Sequence, residues 1–386
     1  MITLGYCCNS LGSHKTNFKT MTLKKLKTLN FDPIIDSQSW RYVDDWYNDY
    51  SCLELGAKEL LKIYVHNIKE LTAVLKYNIA NNVKLYRISS NLFPFWSYSS
   101  GLLPIKSQAL KSYAIPAKTF NSMVKNRFVD SMGNVDLELQ KTVKAYLENG
   151  GRLTMHPPEF VSLGSSDSKV INASIAELSA HAKFLDWIGA PADYTCPLNI
   201  HVSRGAQDPV LTSTAVDQQL VKLIKIAPTA FKRLVFETED KGCWTWQKLE
   251  KHFPGVPITF DVHHWEINNE GETLLEAVQA CTRTWNRTIN MYRGEIEFLI
   301  DHPYAYTSLA DPRLSDFSYW RKVRGIPLMH ISEGRNGRLD RSHHDYVETI
   351  QDEILFAPLD ISLEVEAKAK DLAYFALRDK YKNLVA

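Results

Sequence analysis

The feature that most constrains this chain is a short apolar run that ends in a polar or ionisable residue and gives way to a helical stretch, repeated about eight times. The runs fall at residues 2–6, 83–89, 152–156, 198–202, 233–237, 258–261, 327–331 and 359–364. Their length and β-rich composition are those of buried strands. Amphipathic stretches lie between several of them. In 172–189, Ile175, Leu178, Ala182, Leu185 and Ile188 keep a helical period and Gly189 closes the run. Strand–helix alternation on this scale has two solutions, an open doubly wound sheet or a closed barrel of parallel strands. A dinucleotide-binding sheet needs a glycine-rich turn after its first strand, and Gly5-Tyr6-Cys7-Cys8-Asn9 is not one. A barrel instead gathers the C-terminal ends of its strands around one mouth, where active sites are built. Here those ends carry His156, His201, Glu237, Asp261, His264, His330 and Glu364. The reading is therefore an α/β chain folded as a TIM-like (β/α) barrel.

All 386 residues are expected to form that single domain, decorated by insertions at about 99–149 and 268–324 and by a surface elaboration at 32–50. The 45% hydrophobic and 23% charged content is that of a globular protein. No stretch approaches the roughly 18 consecutive apolar residues of a membrane span. The first strand follows Met1 directly, which leaves no room for a signal peptide, and the six cysteines lack Cys-x-x-Cys spacing. A cytoplasmic location with reduced thiols is expected, with no membrane partner. A net charge of +1 excludes a globally basic nucleic-acid coat but permits a local basic groove. The concentrated basic region is Arg321-Lys322-Val323-Arg324, followed by Arg335, Arg338 and Arg341. Phosphate contact and a solvated face explain it about equally well.

The strongest local signal is Asp261-Val262-His263-His264, directly after the apolar run Pro257-Ile258-Thr259-Phe260. A carboxylate and two imidazoles in one turn suit zinc, manganese or iron, and Asp261 and His264 would serve different ions of a cluster. The competing reading has one imidazole capping a helix and the other packing beneath the loop. His156 precedes Pro157-Pro158, a stiff extended exit from its strand. His201 and Glu237 end their strands in the same way. Gathered at one mouth, these groups would form an uncompensated cluster of ionisable side chains unless cations bridged them. A multi-metal site is thus favoured over a structural cluster. The segment Arg341-Ser342-His343-His344-Asp345-Tyr346 reads as a charged turn leading into a helix. Glu177 and His181, four apart, share a helix face as a surface pair or a pair standing behind a site.

Taken together, the motifs resemble the UV damage endonuclease family, metal-dependent DNA repair enzymes with a TIM-like barrel akin to endonuclease IV. The resemblance rests on Leu4-Gly5-Tyr6 with Asn9, Tyr77-Asn78, Tyr86-Arg87-Ile88-Ser89-Ser90-Asn91-Leu92-Phe93-Pro94 and His156-Pro157-Pro158-Glu159-Phe160. It continues through Ser174-Ile175-Ala176-Glu177-Leu178 with His181, Ile200-His201-Val202, Glu237-Thr238-Glu239-Asp240 and Asp261-Val262-His263-His264. It ends with His330-Ile331-Ser332, His343 with Asp345-Tyr346, and Asp360 through Glu364. What it implies is incision of damaged double-stranded DNA immediately 5′ of cyclobutane dimers, 6-4 photoproducts and often abasic sites, leaving a 3′-hydroxyl and a 5′-phosphate. It implies two or three divalent ions, manganese first, with zinc or magnesium as alternatives. His156, His201, Glu237, Asp261, His264, His330, His343 and Glu364 match the family's ligand motifs. Glu237, as bridging carboxylate, joins Asp261 and His264 in the catalytic set. Tyr6, Asn9, Glu159 and Phe160 fall at DNA- or lesion-binding positions, and a monomer is expected.

Three positions depart from the family pattern. Ser97-Tyr98 stands where the family usually has Ser-His, and a phenol with a pKa near 10 is a poor ligand at neutral pH, so Tyr98 marks a doubtful ligand position. Leu328 replaces a lysine that is often found two residues before the histidine of the seventh strand. Glu159-Phe160 replaces Gln-Tyr, which keeps an aromatic wedge but adds negative charge near DNA. Tyr98 and Leu328 motivate an alternative, a lesion-binding protein of the same fold with reduced or altered catalysis.

Overall fold

The computed structural model describes residues 1–21, 55–94, 135–202, 208–291 and 319–385. The segment 32–50, Tyr98 and much of both expected insertions lie outside them. The strands are β1 (Ile2–Cys7), β2 (Leu85–Ile88), β3 (Arg152–Met155), β4 (Leu198–Ile200), β5 (Leu234–Glu237), β6 (Ile258–Asp261), β7 (Asn286–Met291), β8 (Tyr319–Arg324), β9 (Leu328–Ile331) and β10 (Ile361–Val365). The helices are α1 (Leu55–Ala80), α2 (Val135–Glu148), α3 (Ser168–Trp187), α4 (Pro209–Ile226), α5 (Pro228–Arg233), α6 (Trp246–His252), α7 (Val262–Ile267), α8 (Leu274–Thr284), α9 (Asp352–Leu355) and α10 (Asp371–Lys380). Eight strands close a barrel in the order β1-β10-β9-β6-β5-β4-β3-β2, every pair parallel. Strands β7 and β8 form a separate antiparallel pair inserted between β6 and β9.

Each of the eight expected runs coincides with a barrel strand, β1 and β10 going one residue further to Cys7 and Val365, and other differences at their edges have local causes. Arg233 ends α5 instead of opening β5. Its buried guanidinium donates to the Pro191 carbonyl at 2.9 Å, the Ala190 carbonyl at 2.7 Å and Asp186 at 2.6 Å, fastening α5 to α3 and the loop that follows it. Helix α3 begins before residue 172 because Asp167 caps it, accepting from the Lys169 N–H at 2.8 Å. It ends where Gly189 takes a φ of +81°, as expected. Part of each expected insertion belongs to the barrel's helical layer. Helix α2 bridges β2 and β3, and α8 is tied to β6 where Thr284 Oγ1 accepts from the Ile258 N–H at 2.9 Å.

Successive residues of a strand face opposite sides, so a barrel strand has an outer and an inner set. The outer set, including Leu4, Ile88, Phe236, Phe260, Ile331 and Leu363, packs into the large core beneath the helices. On three strands the inner set starts apolar. Leu85, Val235 and Leu328 form a separate cluster with Tyr194 and Trp285, a plug in the barrel interior. Two residues further along the same strands stand Arg87, Glu237 and His330, so the interior changes from apolar to ionisable within one step of the pleat. The position of Leu328 is thus part of a dry plug and offers no group to a cation.

Gly5 makes the β1–β2 seam possible. It pairs with Leu85, and a Cβ at Gly5 would stand 2.5 Å from the Leu85 Cβ. Gly5→Val is therefore expected to lower stability by about 2 kcal/mol or more, read from urea unfolding. An unchanged midpoint would show that the seam tolerates a side chain.

Candidate metal centre

Glu237, at the end of β5 and only 2% exposed, is the hub of the mouth. Its Oε2 lies 3.0 Å from His156 Nε2 and also accepts from the Asn199 amide. Its Oε1 lies 3.2 Å from His330 Nδ1 and 3.4 Å from His264 Nδ1. Three groups of potential ligands overlap around it: His156, His201 and Glu237; Glu237, Asp261 and His264; and Asp261, His330 and Glu366. Within each, the donor atoms lie within 4.8 Å of one another. Glu237 belongs to two groups, and so does Asp261. Shared carboxylates of this kind suit bridging between neighbouring cations.

In the turn after β6 the helix cap is supplied by Asp261 and not by an imidazole, while one imidazole packs beneath the loop, as the competing reading expects. Asp261 caps α7 by accepting from the His264 N–H at 2.8 Å through Oδ1, while its buried Oδ2 has no hydrogen-bond partner. His263 packs beneath the loop with Nε2 2.9 Å from the Asp340 carbonyl. His264 turns toward Glu237, with Nδ1 2.8 Å from the Thr238 carbonyl. A donor Nδ1–H there fixes the ring and leaves Nε2 as the lone-pair atom, the usual arrangement of a metal-binding histidine. His156 and His201 stand with ring centroids 5.4 Å apart, and His201 Nδ1 is buried without a hydrogen-bond partner. These orphaned atoms and the mixed imidazole–carboxylate donor set fit divalent transition ions.

Burial lowers the His201 pKa to about 4, so its ring is neutral and ready to ligate at pH 7. Burial acts the same way on His264, but the Asp261 and Glu237 carboxylates outweigh it and raise its pKa to about 9. His330 follows suit: burial is outweighed by Glu237 and Glu366, and its pKa rises well above the usual imidazole value. For Glu237, burial raises the pKa while the surrounding imidazoles, His330 first, more than reverse it. Without metal, protonated histidines supply part of the charge that these carboxylates require.

Glu366, which the sequence reading did not single out, stands one residue beyond β10 on the same face as Glu364. Its Oε1 is 3.0 Å from His330 Nδ1, and its Oε2 is 3.8 Å from Nδ1 of the partly exposed His343. Glu364 lies deeper and is fully buried. Its Oε2 is 3.0 Å from Arg87 Nε and 3.2 Å from His330 Nε2, and its Oε1 accepts from Thr154 Oγ1. The two-residue strand period, carried one step past Glu364, would have indicated Glu366.

The positions expected to meet DNA divide. Phe160 is 53% exposed on the loop after β3, with Glu159 exposed beside it. Asn9 is half-buried at the exit of β1. Tyr6 is fully buried, on the outer face of β1, and its hydroxyl donates to Asn78 at 2.7 Å. It is a core residue and not a DNA contact. Glu177 and His181 are likewise buried, His181 Nδ1 lying 2.9 Å from the Glu177 carbonyl, so they are not a solvent-facing pair. The rim arginines each have an acidic partner: Arg338 with Glu266 at 2.9 Å, Arg335 with Asp345 at 3.7 Å, and Arg341 with Asp240.

A closed parallel barrel with a histidine–carboxylate mouth defines a class of TIM-like barrel proteins equipped to hold divalent ions. Within that class, residues 2–114, 123–293 and 298–385 match the UV-endonuclease UvdE family. The chain belongs to this family of endonucleases. It is 25% identical over 382 residues to the UV DNA damage endonuclease of Deinococcus radiodurans, covering 97% of this chain and 94% of that protein. It is 26% identical over 338 residues to the UV DNA damage endonuclease of Nostoc sp., covering 85% and 82%. A putative UV-damage endonuclease of Acanthamoeba polyphaga mimivirus is 25% identical over 397 residues, covering 100% and 94%. The crystal structure of SacUVDE shares the fold over 100% of this chain and 99% of its own, with a TM-score of 0.65 and 21% identity.

Metal uptake at this mouth must displace protons from His264 and His330. Affinity for Mn²⁺ is therefore expected to rise with pH up to about 9, with proton release at pH 7. Calorimetric titration in two buffers of different ionisation enthalpy measures that release. Its absence would contradict the assigned ligands.

Proposed function

We propose that this chain is a DNA repair endonuclease that depends on divalent metal. It incises the phosphodiester bond immediately 5′ of cyclobutane dimers and 6-4 photoproducts in duplex DNA, with abasic sites as further substrates. The products carry a 3′-hydroxyl and a 5′-phosphate. The observation that carries this reading is the overlap of ligand groups through Glu237 and Asp261, set in the mouth of a UvdE-family barrel. Two or three ions, manganese first and zinc or magnesium as alternatives, would be held by His156, His201, Glu237, Asp261, His264, His330, His343 and Glu366, the last taking the place expected of Glu364, whose oxygens are engaged by Arg87 and Thr154. They would supply charge neutralisation at the scissile phosphate and an ionised water.

The chain's own residues do the positioning. Glu237 would serve two neighbouring ions, and Asn199 and His156 fix its Oε2. Asp261 keeps one oxygen on the α7 cap and directs the other into the mouth. Thr238 orients His264 through its carbonyl. Glu364 holds the far nitrogen of His330 and anchors the ligand set from below. On the rim, exposed Phe160 offers a face to stack on or wedge beside an unpaired base. Glu159 beside it biases recognition against phosphate-rich approaches, and Asn9 stands at the exit of β1. The protein acts as a single-domain monomer, with phosphate attraction confined to a few arginines on the rim.

A second reading, a lesion-binding protein with reduced catalysis, draws on Leu328, which the apolar plug has absorbed. An end-labelled duplex carrying one cyclobutane dimer, with Mn²⁺ added, separates the two. A cut just 5′ of the dimer is expected, and selective binding without cutting would favour the second reading. Glu237→Gln is expected to lower the incision rate by roughly a hundredfold or more while leaving binding of the damaged duplex measurable. Unchanged incision by that variant would remove Glu237 from the mechanism.

A further inference from the structure

One corner of the barrel interior has the donors of a metal site and already holds a cation. Cys7 on β1, Glu364 on β10 and Glu366 just beyond β10 bring a thiol and two carboxylates within 4.8 Å of one another. Such a set would attract a thiophilic divalent ion. The Arg87 guanidinium occupies its centre. Nη2 donates to Cys7 Sγ at 2.7 Å and also to Glu366 Oε1, while Nε lies 3.2 Å from the same sulfur and 3.0 Å from Glu364 Oε2. The Cys7 thiol in turn faces the Val365 carbonyl at 3.6 Å. Arg87 is 7% exposed, on the inner face of β2 directly above the plug residue Leu85.

We propose that Arg87 is the resident cation of the Cys7–Glu364–Glu366 corner and limits how many divalent ions the mouth accepts. Guanidinium is always charged and presents its donors in a fixed fork, so it meets several acceptors at once and cannot leave by deprotonation. A divalent ion entering the corner would have to displace it toward the plug, where Leu85, Val235 and Leu328 offer a cation no acceptor. Arg87 thereby acts as a positioning residue. It fixes one oxygen of Glu366 and leaves the other facing His343, on the side of the neighbouring ligand group. A purely structural ion pair would not govern the number of ions bound.

This inference deepens the metal-centre reading, and its test does not depend on cutting DNA. Purified protein is titrated with Cd²⁺, and the near-ultraviolet thiolate-to-metal charge-transfer absorption is followed. The wild type is expected to show no part of that band that Cys7→Ser removes. Arg87→Met is expected to bind one more equivalent, to release the Cys7 thiol proton as Cd–S coordination forms, and to show a band that adding Cys7→Ser abolishes. Arg87→Gln, closer in polarity, is the second variant should Arg87→Met fail to fold, and folding is checked by circular dichroism. A Cys7-dependent band in the wild type would overturn the proposal, as would a folded neutral variant that gains neither the band nor the extra equivalent. Incision failing while the band behaves as expected would count against the nuclease reading alone.

Discussion

Everything at the mouth of this barrel follows from carboxylates crowded into a largely buried space. Glu237, Asp261 and Glu364 are all 2% exposed or less, with Glu366 beside them. Like charges at such spacing do not stay ionised without positive partners. The chain supplies them in two kinds. Arg87 is permanent and lies against Glu364 and Glu366. His264 and His330 are conditional and lie around Glu237 and Asp261, where a divalent ion would replace their protons. This gradient, from a fixed cation on one side to exchangeable ones around Glu237, gives the mouth its chemistry.

The gradient depends on strand geometry. A plug of Leu85, Val235, Leu328, Tyr194 and Trp285 fills the interior, and Arg152 donates to the Tyr194 carbonyl at 2.8 Å with its guanidinium 5.5 Å from the Trp285 ring. The plug excludes water below the charges, which strengthens each interaction above it. The pleat then sets Arg87, Glu237 and His330 one step higher on the strands that supply the plug. Trp285 ties the plug to β6, its indole N–H donating to the Ile258 carbonyl at 2.7 Å. Fold and site are two consequences of one alternation.

Much of this was legible in the residues. The eight runs stood out because a buried parallel strand is a short apolar burst, and the barrel followed from the ionisable residues that end them. Each of His156, His201, Glu237, Asp261 and His330 reaches the mouth because it stands on the inward parity at or beside a strand end, and His264 follows in the first turn of α7. What escaped depends on the third dimension. Glu366 lies past the last strand residue, and Arg87 reads as part of a motif until Cys7 and Glu364, 357 residues apart in sequence, close around it. Tyr6 resembled a DNA contact but falls on the parity that faces the helices. Glu177 and His181 were read from spacing alone, which identifies a shared face but not which face is buried.

The central claim is that cations order this mouth, with exchangeable sites around Glu237 and Asp261 and a fixed one at Arg87. Anomalous diffraction at the manganese edge from Mn²⁺-soaked crystals tests it most directly. The account predicts peaks between His156, His201 and Glu237 and between Glu237, Asp261 and His264, with none in the corner formed by Cys7, Glu364 and Glu366. A peak in that corner with Arg87 displaced, or no peak beside Glu237, would contradict it.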